Sequence, residues 1–91
     1  MKVTVLYFAS LREALGSRET IEVEPGITLG GLRDTLLARG GRHAEVLARS
    51  RAVRCALNQV MSDETAVLDE RAGEVDGTGA EVAFFPPVTG G

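Results

Sequence analysis

Two apolar segments, one at each end of the chain, limit what these 91 residues can build. Lys2 to Ala9 is rich in Val, Leu, Tyr and Phe, and Ala80 to Phe85 is comparably apolar. Both read as strands, apolar on both faces and therefore central in a sheet. Two such strands pair in parallel only if a long crossover joins them. The intervening sequence supplies one. Thr28 is a good N-cap, and Leu29, Leu32, Leu36 and Leu37 then recur at helical spacing, placing one leucine stripe on a helix that ends at Gly40-Gly41. Gly30 and Gly31 stand in its first turn, each costing about 1 kcal/mol relative to alanine, and the sequence gives no reason for them.

The remaining elements are shorter. Ser10-Leu11-Arg12-Glu13 has the form of a capping box, opening a short helix through Leu15 with Gly16 as its left-handed terminal residue. Glu19 to Glu24 alternates polar and apolar residues, a half-buried strand stopped by Pro25-Gly26. Arg42 to Arg51 adds a helical turn around Val46 and Leu47. Val53 to Leu57 is a third strand and Asn58-Gln59 a turn. Met61 to Gly79 reads as acidic and irregular, with a helical turn near 66–71. The order predicts an α+β roll: a mixed sheet with one main helix on one face and extra short helices. This is the ubiquitin-like β-grasp arrangement. A single domain over residues 1–91 is expected, with 86–91 as a protruding tail.

Composition removes several function classes. A net charge of −3 and four aromatics leave no pervasive basic surface to neutralise phosphates, so no nucleic-acid partner is expected. The longest apolar stretch, Val3 to Ala9, is far short of the roughly 20 residues of a membrane span. No membrane association and a cytoplasmic location are therefore the expectation. Cys55 is the only cysteine and His43 the only histidine. A thiolate cluster or zinc site is not expected. Cys55 reads as a small core residue and His43 as a solvated surface imidazole.

The chain's end carries the chemistry. Pro86 and Pro87 hold φ near the polyproline value and have no N–H to donate, so the strand stops at Phe85 and the chain leaves in a set direction. Val88-Thr89-Gly90-Gly91 can reach at most roughly 13–14 Å further. Gly90 and Gly91 lack a Cβ and could enter a channel too narrow for other residues. A narrow tip ending in a carboxylate suggests a terminus delivered into another protein's active site.

With these residues in view, the chain resembles the ubiquitin-like sulfur carriers of the MoaD/ThiS family, and its MoaD branch in particular. The resemblance rests on Val5-Leu6-Tyr7-Phe8-Ala9, Leu11-Arg12-Glu13, Ala56-Leu57-Asn58-Gln59 and the ending Phe84-Phe85-Pro86-Pro87-Val88-Thr89-Gly90-Gly91. Two departures stand out: Asp76-Gly77-Thr78-Gly79-Ala80-Glu81 replaces the family's Asp-Gly-Asp-Glu turn, and the Met61 to Glu74 region is longer. The resemblance implies a non-catalytic subunit of molybdopterin synthase. An E1-like enzyme would use ATP to adenylate Gly91, and a sulfur donor system would convert it to a thiocarboxylate. The tail would then deliver that sulfur to cyclic pyranopterin monophosphate in the synthase large subunit, in a heterotetramer. No bound cofactor is implied. Phe8, Met61 and Phe85 match the family's contact residues and would form an apolar docking patch beside Pro86, Pro87, Val88 and Thr89.

Other readings remain open on the residues alone: a protein modifier conjugated through Gly91, a thiamine-type carrier, or a plain binding module. Lys2 is the only lysine, which weakens a polymer-forming modifier without touching single conjugation. Arg39, Arg42, Arg49, Arg51 and Arg54 gather in one stretch, and Asp63, Glu64, Asp69, Glu70, Glu74 and Asp76 in the next. They read as two solvated loops, or as steering charges for partners.

Overall fold

The computed structural model describes residues 1–68 and 80–87. Five strands form one mixed sheet in the order β2-β1-β5-β3-β4. These are β1 (Lys2–Tyr7), β2 (Arg18–Glu22), β3 (Arg54–Leu57), β4 (Val60–Ser62) and β5 (Ala80–Phe85). The two terminal strands are central and parallel, with Val5 opposite Val82 and Tyr7 opposite Phe84. The described residues also form three helices: α1 (Ser10–Leu15), α2 (Leu29–Leu37) and α3 (Gly41–Val46). This is the predicted β-grasp. No helix among the described residues is long and apolar enough to cross a membrane.

The core lies between the sheet and the helices. Val3, Val5 and Tyr7 of β1 and Ala80, Val82 and Phe84 of β5 meet Leu29, Leu32 and Leu36 of α2, together with Leu11 and Leu47. Burying a leucine fully is worth about 1.5–3 kcal/mol, so the α2 stripe is a principal source of stability. The central strands are nevertheless not buried on both sides. Burial alternates along each, leaving Thr4, Leu6, Glu81, Ala83 and Phe85 partly exposed on the face away from the helices.

Local chemistry departs from the sequence reading at several points. Ser10 is not a cap. Ala9, at φ 54° and ψ −129°, turns the chain first, and the Phe8 carbonyl accepts from Leu11 N at 3.1 Å. Gly16 does have positive φ, 90°, but its ψ of 177° is extended rather than left-handed helical. Thr28 caps α2 as expected, its hydroxyl accepting from Gly31 N at 2.9 Å. The helix ends at Leu37, however, and Gly40 and Gly41 open α3 with φ of 77° and 56°. Both conformations favour glycine. Met61 and Ser62 belong to β4, paired to β3 through an Asn58-Gln59 turn with φ of 49° and 70°. No helical turn forms at Ala66–Leu68; Val67 bridges Thr28 instead. Residues 69–71 of that expected turn lie outside the described residues.

Gly30 and Gly31 now have a reason. The segment from Glu64 to Leu68 runs against the start of α2, where Gly30 N donates to Glu64 O and Leu29 N to Ala66 O, both at 2.9 Å. A Cβ on Gly30 would sit 3.0 Å from Glu64 Oε1 and 3.3 Å from its carbonyl oxygen. One on Gly31 would meet Ile27 Cγ1 at 2.8 Å.

Candidate functional site

The tail root is built by the ends of β1, β3 and β5. Register places Leu6, Ala83, Ala56 and Met61 in one row across the sheet face opposite the helices, with Phe85 opposite Arg54 in the next row. Phe8 follows Tyr7 and donates its N–H to Phe84 O at 3.2 Å, which carries it beside Phe85. Phe8 is 46% exposed and Met61 61%, while Phe85 is half-buried. Met61 lies two strands from Phe85, about 10 Å across the sheet. The three predicted docking residues thus share one apolar face bordering the tail.

Behind that face, Pro86 closes a groove of about 250 Å³ with Ser10, Leu11, Val46, Arg51, Ala52 and Val53. Pro86 and Pro87 are half-buried. Val88, Thr89, Gly90 and Gly91 lie outside the described residues.

Of the described members of the arginine and acidic clusters, Arg39, Arg49 and Glu64 are ion-paired rather than merely solvated, whereas Arg42, Arg51, Arg54 and Asp63 are exposed. Asp69, Glu70, Glu74 and Asp76 lie outside the described residues. Arg33, a residue that nothing in the sequence singled out, is 3% exposed. Its guanidinium donates to Leu47 O at 2.8 Å, Ala48 O at 2.6 Å, Arg51 O at 3.0 Å and Glu64 Oε2 at 3.1 Å. Arg49 pairs with Glu64 and, at 2.9 Å, with Asp34. These contacts bind the 47–51 loop to α2 and to the Glu64 segment. The only sequence signal for Arg33 was its place one residue beyond Leu32, at the edge of the apolar stripe.

His43 is also not a free surface imidazole. Its Nε2 lies 3.1 Å from Glu19 Oε2, which accepts from Tyr7 Oη at 2.8 Å, while Arg39 pairs with Glu19 Oε1. The Tyr7 and His43 rings meet edge to face at 6.4 Å. Burial, reinforced by the Glu19 carboxylate, pushes the Tyr7 hydroxyl well above its usual range. Cys55 is buried as expected, its thiol donating to Ser62 O at 3.3 Å, and burial raises it. No cluster of three or more His, Cys, Asp or Glu side chains suited to a metal occurs among the described residues.

The chain matches the model of the ThiS family over residues 5–91. It is 39% identical to the molybdopterin synthase sulfur carrier subunit of Mycobacterium tuberculosis over 93 aligned positions, covering all of this chain and 99% of that protein. It is 34% identical to small archaeal modifier protein 1 of Haloferax volcanii, covering 92% of this chain and 94% of that one. The crystal structure of the latter superposes with a TM-score of 0.71 over the whole of both chains at 23% identity. A further structure, a complex of subunits 1 and 2 of molybdopterin-converting factor from Helicobacter pylori, holds a chain that superposes over its full length and the full length of this one. Its TM-score is 0.64, at 22% identity.

Proposed function

The chain belongs to the ThiS/MoaD family of ubiquitin-like sulfur carriers, and from that premise we propose that it is the sulfur-carrying small subunit of a molybdopterin synthase. Members of the family are non-catalytic and carry a C-terminal thiocarboxylate. The observation that most supports the finer reading is the full-length similarity to a molybdopterin synthase sulfur carrier subunit, joined to an exposed apolar face at the tail root.

In this reading the Gly91 carboxylate attacks the α-phosphate of ATP on an E1-like enzyme, releasing pyrophosphate and forming an acyl-adenylate. A carboxylate has no useful leaving group at neutral pH, being ionised far above its pKa of about 3.5; the adenylate makes AMP the leaving group. A sulfur donor then displaces AMP, leaving the thiocarboxylate. Pro86 and Pro87 aim the tail, Val88 and Thr89 fill the entry of the acceptor's channel, and Gly90 lets the sulfur reach cyclic pyranopterin monophosphate in the large subunit. Phe8, Met61 and Phe85 dock both partners. The domain spans residues 1–91, with the tail from 86, and works in the cytoplasm.

Reconstitution with the activating enzyme, ATP and a sulfur donor tests this. Intact-mass measurement should show one sulfur-for-oxygen exchange, absent after deletion of Gly91, although the truncated domain melts unchanged. Sulfur transfer by the truncated protein would overturn the assignment of Gly91. The similarity to a modifier protein supports one second reading, conjugation through Gly91. Covalent adducts in place of the sulfur exchange would select it.

A further inference from the structure

Five arginines gather between residues 39 and 54 in the sequence, and the structure divides them. Arg39 is held by Glu19, and Arg49 by Glu64 and Asp34. Arg42, Arg51 and Arg54 are exposed and have no ion pair among the described residues; of these, Arg51 and Arg54 adjoin the tail root. Their positions are not arbitrary. Arg54 lies directly opposite Phe85 across the β3–β5 ladder, on the face that carries Phe8 and Met61. Arg51 lines the groove behind it together with Pro86. One free guanidinium therefore stands on each side of the tail root, and each adjoins apolar surface.

Both are held on rigid supports. Arg54 is a strand residue. Arg51's carbonyl is one of three in its loop that accept from the buried Arg33, which fixes the backbone carrying the charge. A charge on a fixed support projects a defined field, and in a chain of net charge −3 these two cations, unpaired among the described residues, run against the overall sign.

We propose that Arg51 and Arg54 form a two-sided cationic clamp around the tail root, which engages carboxylates on the rim of the partner's tail-accepting channel. The proposal rests on the sulfur-carrier reading and names the surface chemistry of its acceptor. The apolar face and groove supply contact area. The arginines bring the tail to the channel mouth in the correct orientation, so they act chiefly on the rate of encounter.

The association rate with the large subunit, measured by stopped flow at low and high ionic strength, tests this. The Arg51→Glu/Arg54→Glu variant should associate about tenfold more slowly at low salt, with a flatter salt dependence and a nearly unchanged dissociation rate. Lys2→Glu, at the opposite end of β1, shifts net charge in the same direction and serves as the control. Equal slowing by Lys2→Glu and by Arg54→Glu alone would show that only net charge matters and would overturn the clamp. So would an unchanged rate in the double variant. In both cases tight wild-type binding leaves the sulfur-carrier reading standing. Absence of wild-type binding sinks that reading and the clamp with it. Charge-dependent binding to a short RNA but not to the large subunit would assign the arginines to a polyanion and reject the proposal.

Discussion

Gly30 shows how far a single residue's role can lie from its neighbours in sequence. Helix propensity alone makes Gly30→Ala stabilising by about 1 kcal/mol, since glycine is the poorer helix former. The packing of the Glu64 segment predicts the opposite sign. The added Cβ would stand 3.0 Å from Glu64 Oε1 and 3.2 Å from its Cβ, and would press on the carbonyl that accepts from Gly30 N. Moving that segment also disturbs the Glu64 contacts with Arg33 and Arg49. Gly30→Ala should therefore lose about 1–2 kcal/mol in urea unfolding, as overpacking does. A gain in stability would show that the segment yields freely. The glycine pair was visible in the sequence, but its explanation was not: the clashing atoms belong to a residue 34 positions on. Arg33 was hidden for the same reason, because the carbonyls that justify burying it come from another part of the chain.

Elements were legible where periodicity or turn chemistry was strong. The Thr28 cap, the leucine stripe and the Asn58-Gln59 turn all stand as read. β4 was missed because it is three residues long, with Val60 and Met61 exposed, and so offers no alternation. The tie between α3 and the sheet was missed because Glu19 lies 20 residues from Arg39 and 24 from His43 in sequence. That tie has a pH signature. Burial opposes ionisation of Glu19, but hydrogen bonds from His43, Arg39 and Tyr7 outweigh it and hold the carboxyl below its usual 4.5. A carboxyl whose folded value is depressed contributes stability above its unfolded value, and that contribution is lost as pH falls from about 4.5 through the lower folded value. Melting temperatures followed from neutral pH into that acid range should fall more steeply for the wild-type protein than for Glu19→Gln. Parallel curves would remove Glu19 from the pH response.

At the scale of the whole molecule, strand alternation assigns two adjacent phenylalanines to different tasks. Phe84 is 1% exposed and packs in the core, whereas Phe85 is half-buried on the open face beside Phe8 and Arg54. The residue pattern alone made β5 apolar on both faces, and only the family resemblance singled out Phe85; the sheet separates the two physically, because no described helix covers the face that Phe85 shares. Phe84→Ala should cost about 3–5 kcal/mol of stability, the range for truncating a core aromatic. Phe85→Ala should cost distinctly less, since much of its ring already faces solvent. In partner binding the order reverses. An interface anchor is worth about 2 kcal/mol or more, so on the proposed function Phe85→Ala should weaken affinity for the proposed large-subunit partner by roughly thirtyfold. Phe8→Ala and Met61→Ala should weaken it too, with little change in unfolding. Calorimetric titration beside denaturant unfolding of the same variants separates the two effects. Severe unfolding of Phe85→Ala with unchanged affinity in the molecules that remain folded would place Phe85 in the core and move the docking surface elsewhere. Loss of affinity with the fold intact would assign the open face to recognition at the root of the tail.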